Sequence, residues 1–363
     1  VRTALVHDWL ITHRGGERVL EAIAELLPNC EIFTLLHKPG AFPDTLEQRP
    51  IHTSFLQRIP GALEHHRQLL PLFPQAIESF DLRGFDRVVS SSHCVAKGVR
   101  VPEGAKHLSY VHAPMRYMWD LFDDYFGPGR ASVPVRAAAH ALRPWLQRWD
   151  RRTASRVDRF VANSHNVARK ITRFYGREAQ VIPPPVDLER FARLPLEGSG
   201  QGGYFLWVGA FAPYKRLDLV LEAFGALGLP LWVAGSGQDA ARLPSVPSNV
   251  RLLGQVSDAA LPALYRDCRA LIFPGEEDFG ITPVEAQAAG RPLIAFGRGG
   301  ALETVTSETG LFFEEQTAEA IVQTVRRFET WEKTFDPRQA RANAGRFTKA
   351  RFQADLAEAL AQL

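Results

Sequence analysis

Short apolar runs and amphipathic runs alternate along most of this chain. Residues 3–8 are strand-like. In "GERVLEAIAELL", residues 16–27, Val19, Leu20, Ile23, Leu26 and Leu27 recur at helical spacing until Pro28 stops them. "EIFTLL", "DRVVSSS", "KHLSYVHAP", "VDRFVANS" and "AQVIP" read as further strands. "QAIESF" and "HNVARKITRFYG" read as helices, and a long Arg- and Trp-rich helix is expected over 134–156. Arg116, Tyr117, Trp119 and Asp120 are expected on another helix. Residues 38–74 are Pro-rich and give weak signals.

The pattern breaks at "PPP", residues 183–185, which suits neither strand nor helix and makes a stiff joint. "LEGSGQGG", residues 196–203, is a second break and is expected to be a mobile surface loop. The alternation then restarts with "YFLWVGA", "RLDLVLEAFGAL", "PLWVAGSG", "NVRLLGQV", "SDAALPALYRDC", "ALIFP", "TPVEAQAAG" and "RPLIAF". Strands so short and continuously apolar suit a parallel sheet covered on both faces. Two such sets around a proline joint predict an α/β protein of two doubly wound, Rossmann-like domains facing across a cleft.

Size agrees with two domains, since 363 residues exceed one comfortable core. A net charge of +3 gives no ground for a nucleic-acid partner. No apolar run is long enough to span a bilayer and no signal peptide is evident, so a cytoplasmic protein lacking only an initiator Met is expected. Cys30, Cys94 and Cys268 are far apart and odd in number, as reduced thiols would be. The histidines have no metal-ligand spacing.

The densest chemistry lies in "FPGEEDFGITPVEAQAAGRP", residues 273–292. Glu276, Glu277 and Asp278 precede a Phe-Gly turn, and Glu285 lies on the helix beyond it. Gly280 permits close approach. The amides of Gly280, Ile281 and Thr282 at a helix start suit a diphosphate, and carboxylates accept hydrogen bonds from diols. Acids serving only the helix dipole are the plain alternative. In "WVGAFAPYKRLDLVLEAF", Gly209 ends a strand, and Lys215 and Arg216 are placed either for phosphate or as a solvated pair. Gly15 and Gly16, in "THRGGERV", make either a tight turn or an anion-binding one; this is not the GxGxxG of nicotinamide sites. His112 ends the strand of "SYVHAPMRYMWD", pointing into the expected cleft or hydrogen-bonded in the core. In "RPWLQRWDRRTASRVDR", Trp145 and Trp149 read as core, with an arginine face outside that could meet an anionic membrane.

These stretches together resemble the retaining, nucleotide-sugar-dependent glycosyltransferases of family 4, which have the GT-B fold. The most specific part is E-x7-E, here Glu277 to Glu285. "RGGERV", "YVHAPMRYMWD", "VANSHNVARKI", "VIPPPVD", "VGAFAPYKRLD" and "GRGGALETV" stand in the family's order. "YVHAPMRY" with "PYKRLDL" looks most like bacterial GDP-mannose-dependent mannosyltransferases of polysaccharide and O-antigen assembly. One departure is Ala210, where many relatives have Arg.

The resemblance implies domains of 1–184, joined by a returning helix at about 346–363, and 185–345. Glu277 would hold donor-sugar hydroxyls and Glu285 the ribose. Lys215, with Arg216, would bind the diphosphate beside Gly209, Phe279 and the amides of Gly280, Ile281 and Thr282. The backbone of Val256 would read the base. Gly15 and Gly16 would cap the diphosphate, and His112 would meet the sugar near the reacting carbon. Arg116, Tyr117 and Asp120 would face the acceptor, a lipid-linked glycan. No metal and no cofactor beyond the nucleotide-sugar donor are expected. Another donor such as a UDP-sugar, an epimerase or hydrolase on the same fold, and a non-catalytic binder remain alternatives.

Overall fold

The computed structural model describes residues 1–363, the side chains of residues 238 and 239 excepted. The chain divides into two compact units, Val1–Pro185 with Lys349–Leu363, and Val186–Thr348. Each is built on one parallel sheet.

The first unit holds β1 (Thr3–His7), β2 (Glu31–Thr34), β3 (Ile51–Thr53), β4 (Arg87–Ser92), β5 (Lys106–Val111), β6 (Arg159–Ala162) and β7 (Ala179–Val181). Their order in the sheet is β3-β2-β1-β4-β5-β6-β7. Every pairing is parallel, with Val6 opposite Phe33 on one side and Ser90 on the other. Alternate residues feed two cores. Ala4, Val6 and Val88 join one; Leu5, Val89, Leu108, Tyr110 and Val161 join the other. That double burial is why the central strands carry apolar residues at successive positions, such as Ala4–Val6 and Val88–Val89. The longer helices here are α1 (Gly15–Leu26), α2 (Val133–Thr153) and α3 (His165–Tyr175).

The second unit holds β8 (Phe205–Val208), β9 (Leu231–Ala234), β10 (Val250–Gly254), β11 (Leu271–Phe273), β12 (Leu293–Phe296) and β13 (Gly310–Phe313), ordered β10-β9-β8-β11-β12-β13. Phe205, Trp207, Ile272 and Ile294 pack on one face; Leu206, Leu271 and Leu293 pack on the other. Its longer helices are α4 (Leu217–Leu227), α5 (Leu261–Asp267), α6 (Ile281–Ala288), α7 (Ala318–Trp331) and α8 (Pro337–Ala344). The last helix, α9 (Lys349–Ala361), returns to the first unit. Its Phe352, Leu356, Ala359 and Leu360 complete the core under Tyr110, whose ring meets Phe352 edge-on at 5.5 Å.

Two expectations need correction, and two further features add to them. Residues 116–120 form turns, not a helix. Arg143 Nε donates to Met118 O at 2.9 Å and Arg143 Nη2 to Trp119 O at 2.9 Å, and Gln147 Nε2 also donates to Met118 O. Carbonyls that a helix would use internally are thereby taken by side chains of α2. Of the two tryptophans of α2, Trp149 is buried and Trp145 is 45% exposed. Leu146, Trp149, Asp150 and Thr153 define the buried face, and Trp145 falls roughly 100° of helix rotation away from Leu146. The 196–203 stretch is a turn on the surface, as expected, with Gly200 N donating to Arg266 O and Gly202 N to Asp267 O, both at 2.9 Å, and Arg291 Nη1 reaching Ser199 Oγ at 3.2 Å. Finally, β3 and β13 exist although the sequence pattern does not single them out.

Candidate active site

In a doubly wound sheet, ligands bind beyond the carboxyl ends of the strands where the order reverses. In the second unit that point lies between β8 and β11. Lys215 is on the loop after β8 and Glu277 on the loop after β11. The fold brings their side chains together, and Lys215 Nζ donates to Glu277 Oε1 with both side chains mostly buried. The turn carrying Glu277 is fixed from behind. Gly300 N donates to Glu277 O at 2.8 Å, and a Cβ at Gly300 would lie 2.2 Å from Phe279 O, so only glycine allows this approach.

Gly280 (φ 86°) begins α6 in the left-handed region, where other residues are strained. It turns the chain so that the helix start, with Ile281 and Thr282, follows directly on the acids. Its N-cap, Gly280, has no side chain of its own to cap the helix start, whose dipole and amides attract an anion. Phe279 itself is a core residue, its ring 5.4 Å from Phe347. Glu285, one turn along α6, is only 5% exposed. Its Oε1 accepts from Arg190 Nη2 at 2.7 Å and its Oε2 from the Tyr265 hydroxyl at 3.0 Å. Burial first, then the Glu285 charge, pushes the Tyr265 hydroxyl well above its ordinary pKa, so it stays a donor.

Arg216, the weaker cation candidate beside Lys215, is ion-paired as Lys215 is. Its side chain is engaged by Asp218 at 3.0 Å and by Gln316 at 3.1 Å. Among the described residues it is the one non-glycine residue with positive φ, at 49°. Gly209 closes β8, its N–H on Ala234 O at 3.0 Å. Val256 follows β10 on an irregular stretch.

In the first unit the switch point lies between β1 and β4. Here the sheet gathers a polar cluster that the sequence reading passed over. Asp8, fully buried, accepts from the backbone N–H groups of His93, Cys94, Val95 and Ala96 at 2.7, 3.0, 2.6 and 2.8 Å. His93 Nδ1 lies 3.2 Å from the same carboxylate. Ser91 Oγ bridges His7 Nδ1 at 3.1 Å and His112 Nε2 at 2.8 Å. The signal for this cluster was present in "VHDW" and "SSSHC", polar residues at the carboxyl ends of buried strands.

His112 directly follows β5, half-buried, with its carbonyl accepting from Asn163 Nδ2 at 2.9 Å. Burial, reinforced by His93, His7 and Arg116, pushes its pKa well below the ordinary value, so the ring is neutral. Glu17 on α1 is buried too. Burial raises its pKa, but the hydrogen bond and charge of His7 outweigh it and hold the group below the usual range. Gly15 opens α1, and a Cβ at Gly16 would meet no protein atom within 4 Å. Nothing in the protein's own packing demands glycine at that place.

The three residues expected to face an acceptor share the turn after β5 but not one role. Asp120 is paired with Lys170. The Tyr117 ring packs edge-on against Tyr125 at 6.0 Å, and burial chiefly, then Cys94, raises its hydroxyl pKa. Arg116 contributes positive charge near His112.

Known proteins share both units. Residues 13–190 match the family described as Glycosyltransferase Family 4, and residues 196–348 match Glycosyl transferases group 1. The chain is 31% identical over 268 residues to D-rhamnosyltransferase WbpZ of Pseudomonas aeruginosa, covering 67% of this chain and 68% of that one. It is 30% identical over 293 residues to the GDP-mannose-dependent alpha-mannosyltransferase of Mycolicibacterium smegmatis, covering 75% and 74%. Among solved structures, that of Anabaena HepE in complex with UDP superposes with a TM-score of 0.71 at 17% identity, over 100% of both chains. The chain therefore belongs to the family 4 glycosyltransferases and has the GT-B fold. It is a glycosyltransferase with mannosyltransferases among its relatives.

Proposed function

We propose that this glycosyltransferase moves mannose from GDP-mannose to a sugar hydroxyl of a lipid-linked glycan, with retention and without a metal. The observation that carries the reading is the pairing of Lys215 with Glu277 at the switch point of the second sheet, beside the glycine-led start of α6. A ligand with phosphates and vicinal hydroxyls matches a cation, a helix N-terminus and carboxylates in one place. The relative named for GDP-mannose supports the donor, and HepE, solved with UDP, supports a nucleotide in this fold.

Breaking a glycosyl–phosphate bond builds negative charge on the leaving diphosphate. Lys215 and the amides at Gly280, Ile281 and Thr282 stabilise that charge, which is electrostatic catalysis without a covalent intermediate. Glu277 orients the sugar hydroxyls and Glu285 the ribose diol, while Gly209, Val256 and Phe279 supply backbone around the nucleotide. His112 contacts the sugar, and Gly15 and Gly16 leave room for diphosphate. Arg116 and Tyr117 border the acceptor. The acceptor hydroxyl attacks the face the diphosphate leaves, with a phosphate oxygen taking its proton.

The protein works at the cytoplasmic face of a membrane. In α2, Val133 is 74% exposed and Trp145 45%, and Arg148, Arg151 and Arg152 are exposed beside them. The one acid of this helix, Asp150, is buried against Lys97. An exposed face of apolar and cationic side chains without acids fits an anionic lipid surface.

A second reading is transfer of a different hexose, since the 31% identical relative is named for D-rhamnose. Incubation with labelled GDP-mannose, GDP-rhamnose and UDP-glucose, each with and without lipid-linked oligosaccharide, tests both. Acceptor-dependent label transfer from GDP-mannose alone is the expected outcome, unchanged by EDTA. Acceptor-independent turnover would mean an epimerase or hydrolase.

A further inference from the structure

The hydrogen bonds beneath His112 define which of its nitrogens carries the proton. His7 Nδ1 lies 3.0 Å from the carbonyl oxygen of Ser91, an atom that only accepts. His7 Nδ1 is therefore protonated and donates. The same N–H is 3.1 Å from Ser91 Oγ, so the serine hydroxyl cannot donate in that direction. Its proton is left for His112 Nε2 at 2.8 Å. His112 Nε2 thus accepts. A neutral imidazole whose Nε2 holds a lone pair carries its single proton on Nδ1.

The geometry of the elements makes this arrangement rigid. His7 ends β1, Ser91 lies in β4 and His112 follows β5, and these are consecutive neighbours in the sheet. His7 pairs in register with Ser91, and Tyr110 lies opposite Ser91 on the other side. His7 and Ser91 are fully buried, so water does not compete for either. Asn163 fixes the His112 backbone from β6's end. Among the described residues no hydrogen bond is made to His112 Nδ1, which leaves that N–H as the polar atom the ring can offer.

We propose that Ser91 is a positioning residue that locks His112 in the Nδ1–H tautomer, so that His112 presents its ligand with a hydrogen-bond donor and not with a base. The atom it meets must then be an acceptor, such as a sugar hydroxyl or ring oxygen using a lone pair. This rests on the reading above that His112 faces the donor sugar, but the tautomer itself is measurable without any sugar. It also gives His7 a role: by donating to the Ser91 carbonyl, His7 denies the serine proton its other direction.

The test is nitrogen NMR of the full-length, ligand-free protein labelled with 15N at the histidine rings, with a His112→Asn variant identifying the His112 signals. The expected spectrum has His112 protonated at Nδ1 and bare at Nε2. Protonation at Nε2 in the unmutated protein overturns the proposal. In Ser91→Ala the His112 ring should shift toward the Nε2–H form, while Ser91→Thr, which keeps the hydroxyl, should retain Nδ1–H. An unchanged tautomer in Ser91→Ala also overturns it. In transfer assays Ser91→Ala should lower kcat on the order of tenfold or more with little change in donor KM, and Ser91→Thr should recover most of the rate. Undiminished transfer by His112→Ala would defeat the assignment of His112 to the donor sugar, and it is read in a separate experiment from the tautomer.

Discussion

Arg190 donates from Nη2 to Glu285 Oε1 at 2.7 Å, linking α6 to the segment that enters the second unit. The same guanidinium lies 3.2 Å from Asp187 and 3.6 Å from Asp258. Glu285 is almost wholly buried, so removing Arg190 takes away the cation that offsets a buried charge. Arg190→Ala should therefore destabilise the protein by about 3 kcal/mol. It should also weaken nucleotide binding, because Glu285 loses its orientation. Urea denaturation and thermal shift with GDP check the two effects separately; unchanged values in both would mean that the pair is incidental.

Lys215 and Glu277 form an ion pair that the proposed chemistry uses on both sides. Lys215→Ala should lower transfer by on the order of a hundredfold or more, since the leaving diphosphate loses its cation. Glu277→Gln should reduce activity as well. The double variant should lose less than the sum of the two single losses, because the residues act as a unit. Steady-state kinetics of the four proteins measures this, and strict additivity would refute the coupling.

Asp8 holds the turn after β4 through four backbone N–H groups. Asp8→Asn turns an acceptor oxygen into a donor facing those donors. It should cost about 3 kcal/mol or more, as charge-assisted hydrogen bonds are lost and buried amides are left unpaired. Denaturant midpoints for the variant and the parent decide it.

His107 is buried, and desolvation lowers its pKa from 6.5 to about 4, against the hydrogen bond to Arg156 O, which raises it. A histidine with a depressed native pKa binds its proton first in the unfolded chain. Stability is therefore intact above pH 6.5 and falls as pH drops toward 4. The full contribution of this one residue is roughly 3 kcal/mol. His112 and His93, also depressed, add to the same acid sensitivity. Urea melts at several pH values should show a steep loss across that window, and His107→Gln should flatten it.

Trp145, Arg148 and Arg152 of α2 are exposed and can be removed without disturbing the core. Trp145→Ala combined with Arg148→Ala and Arg152→Ala should change stability by only about 0.5 kcal/mol. The triple variant should bind vesicles containing phosphatidylglycerol several-fold more weakly than the parent, with neither binding pure phosphatidylcholine. Co-sedimentation provides the measurement, and equal binding by parent and variant would remove α2 from the proposed membrane contact.

What the sequence conveyed depended on burial. β8, β11 and β12 were legible because each is covered on both faces and so is apolar throughout, and β1 and β4 because each carries a buried apolar stretch, Ala4–Val6 and Val88–Val89. β3 was not, being three residues at a sheet edge with His52 and Thr53 exposed. The acid-rich turn and Lys215 were legible as chemistry because buried strands lead directly into them. Their pairing was not, since it depends on β8 and β11 being neighbours although they are far apart in sequence. Arg190 was hidden for the same reason, and His7, Asp8 and Ser91 look like strand residues until the order of β1, β4 and β5 is known. The turn at 116–120 was misread because the side chains that take its carbonyls, Arg143 and Gln147, come from α2.

Because α9 supplies Phe352 and Leu356 to the layer beneath Leu5, Leu108 and Tyr110, the two units mature in an order opposite to their synthesis. Residues 1–185 leave the ribosome first, yet one side of their sheet stays partly bare until the whole of the other unit has been translated. The later-made sheet, drawn from consecutive residues, reaches its finished form with no such wait, and the nascent amino-terminal half is the part a chaperone would meet.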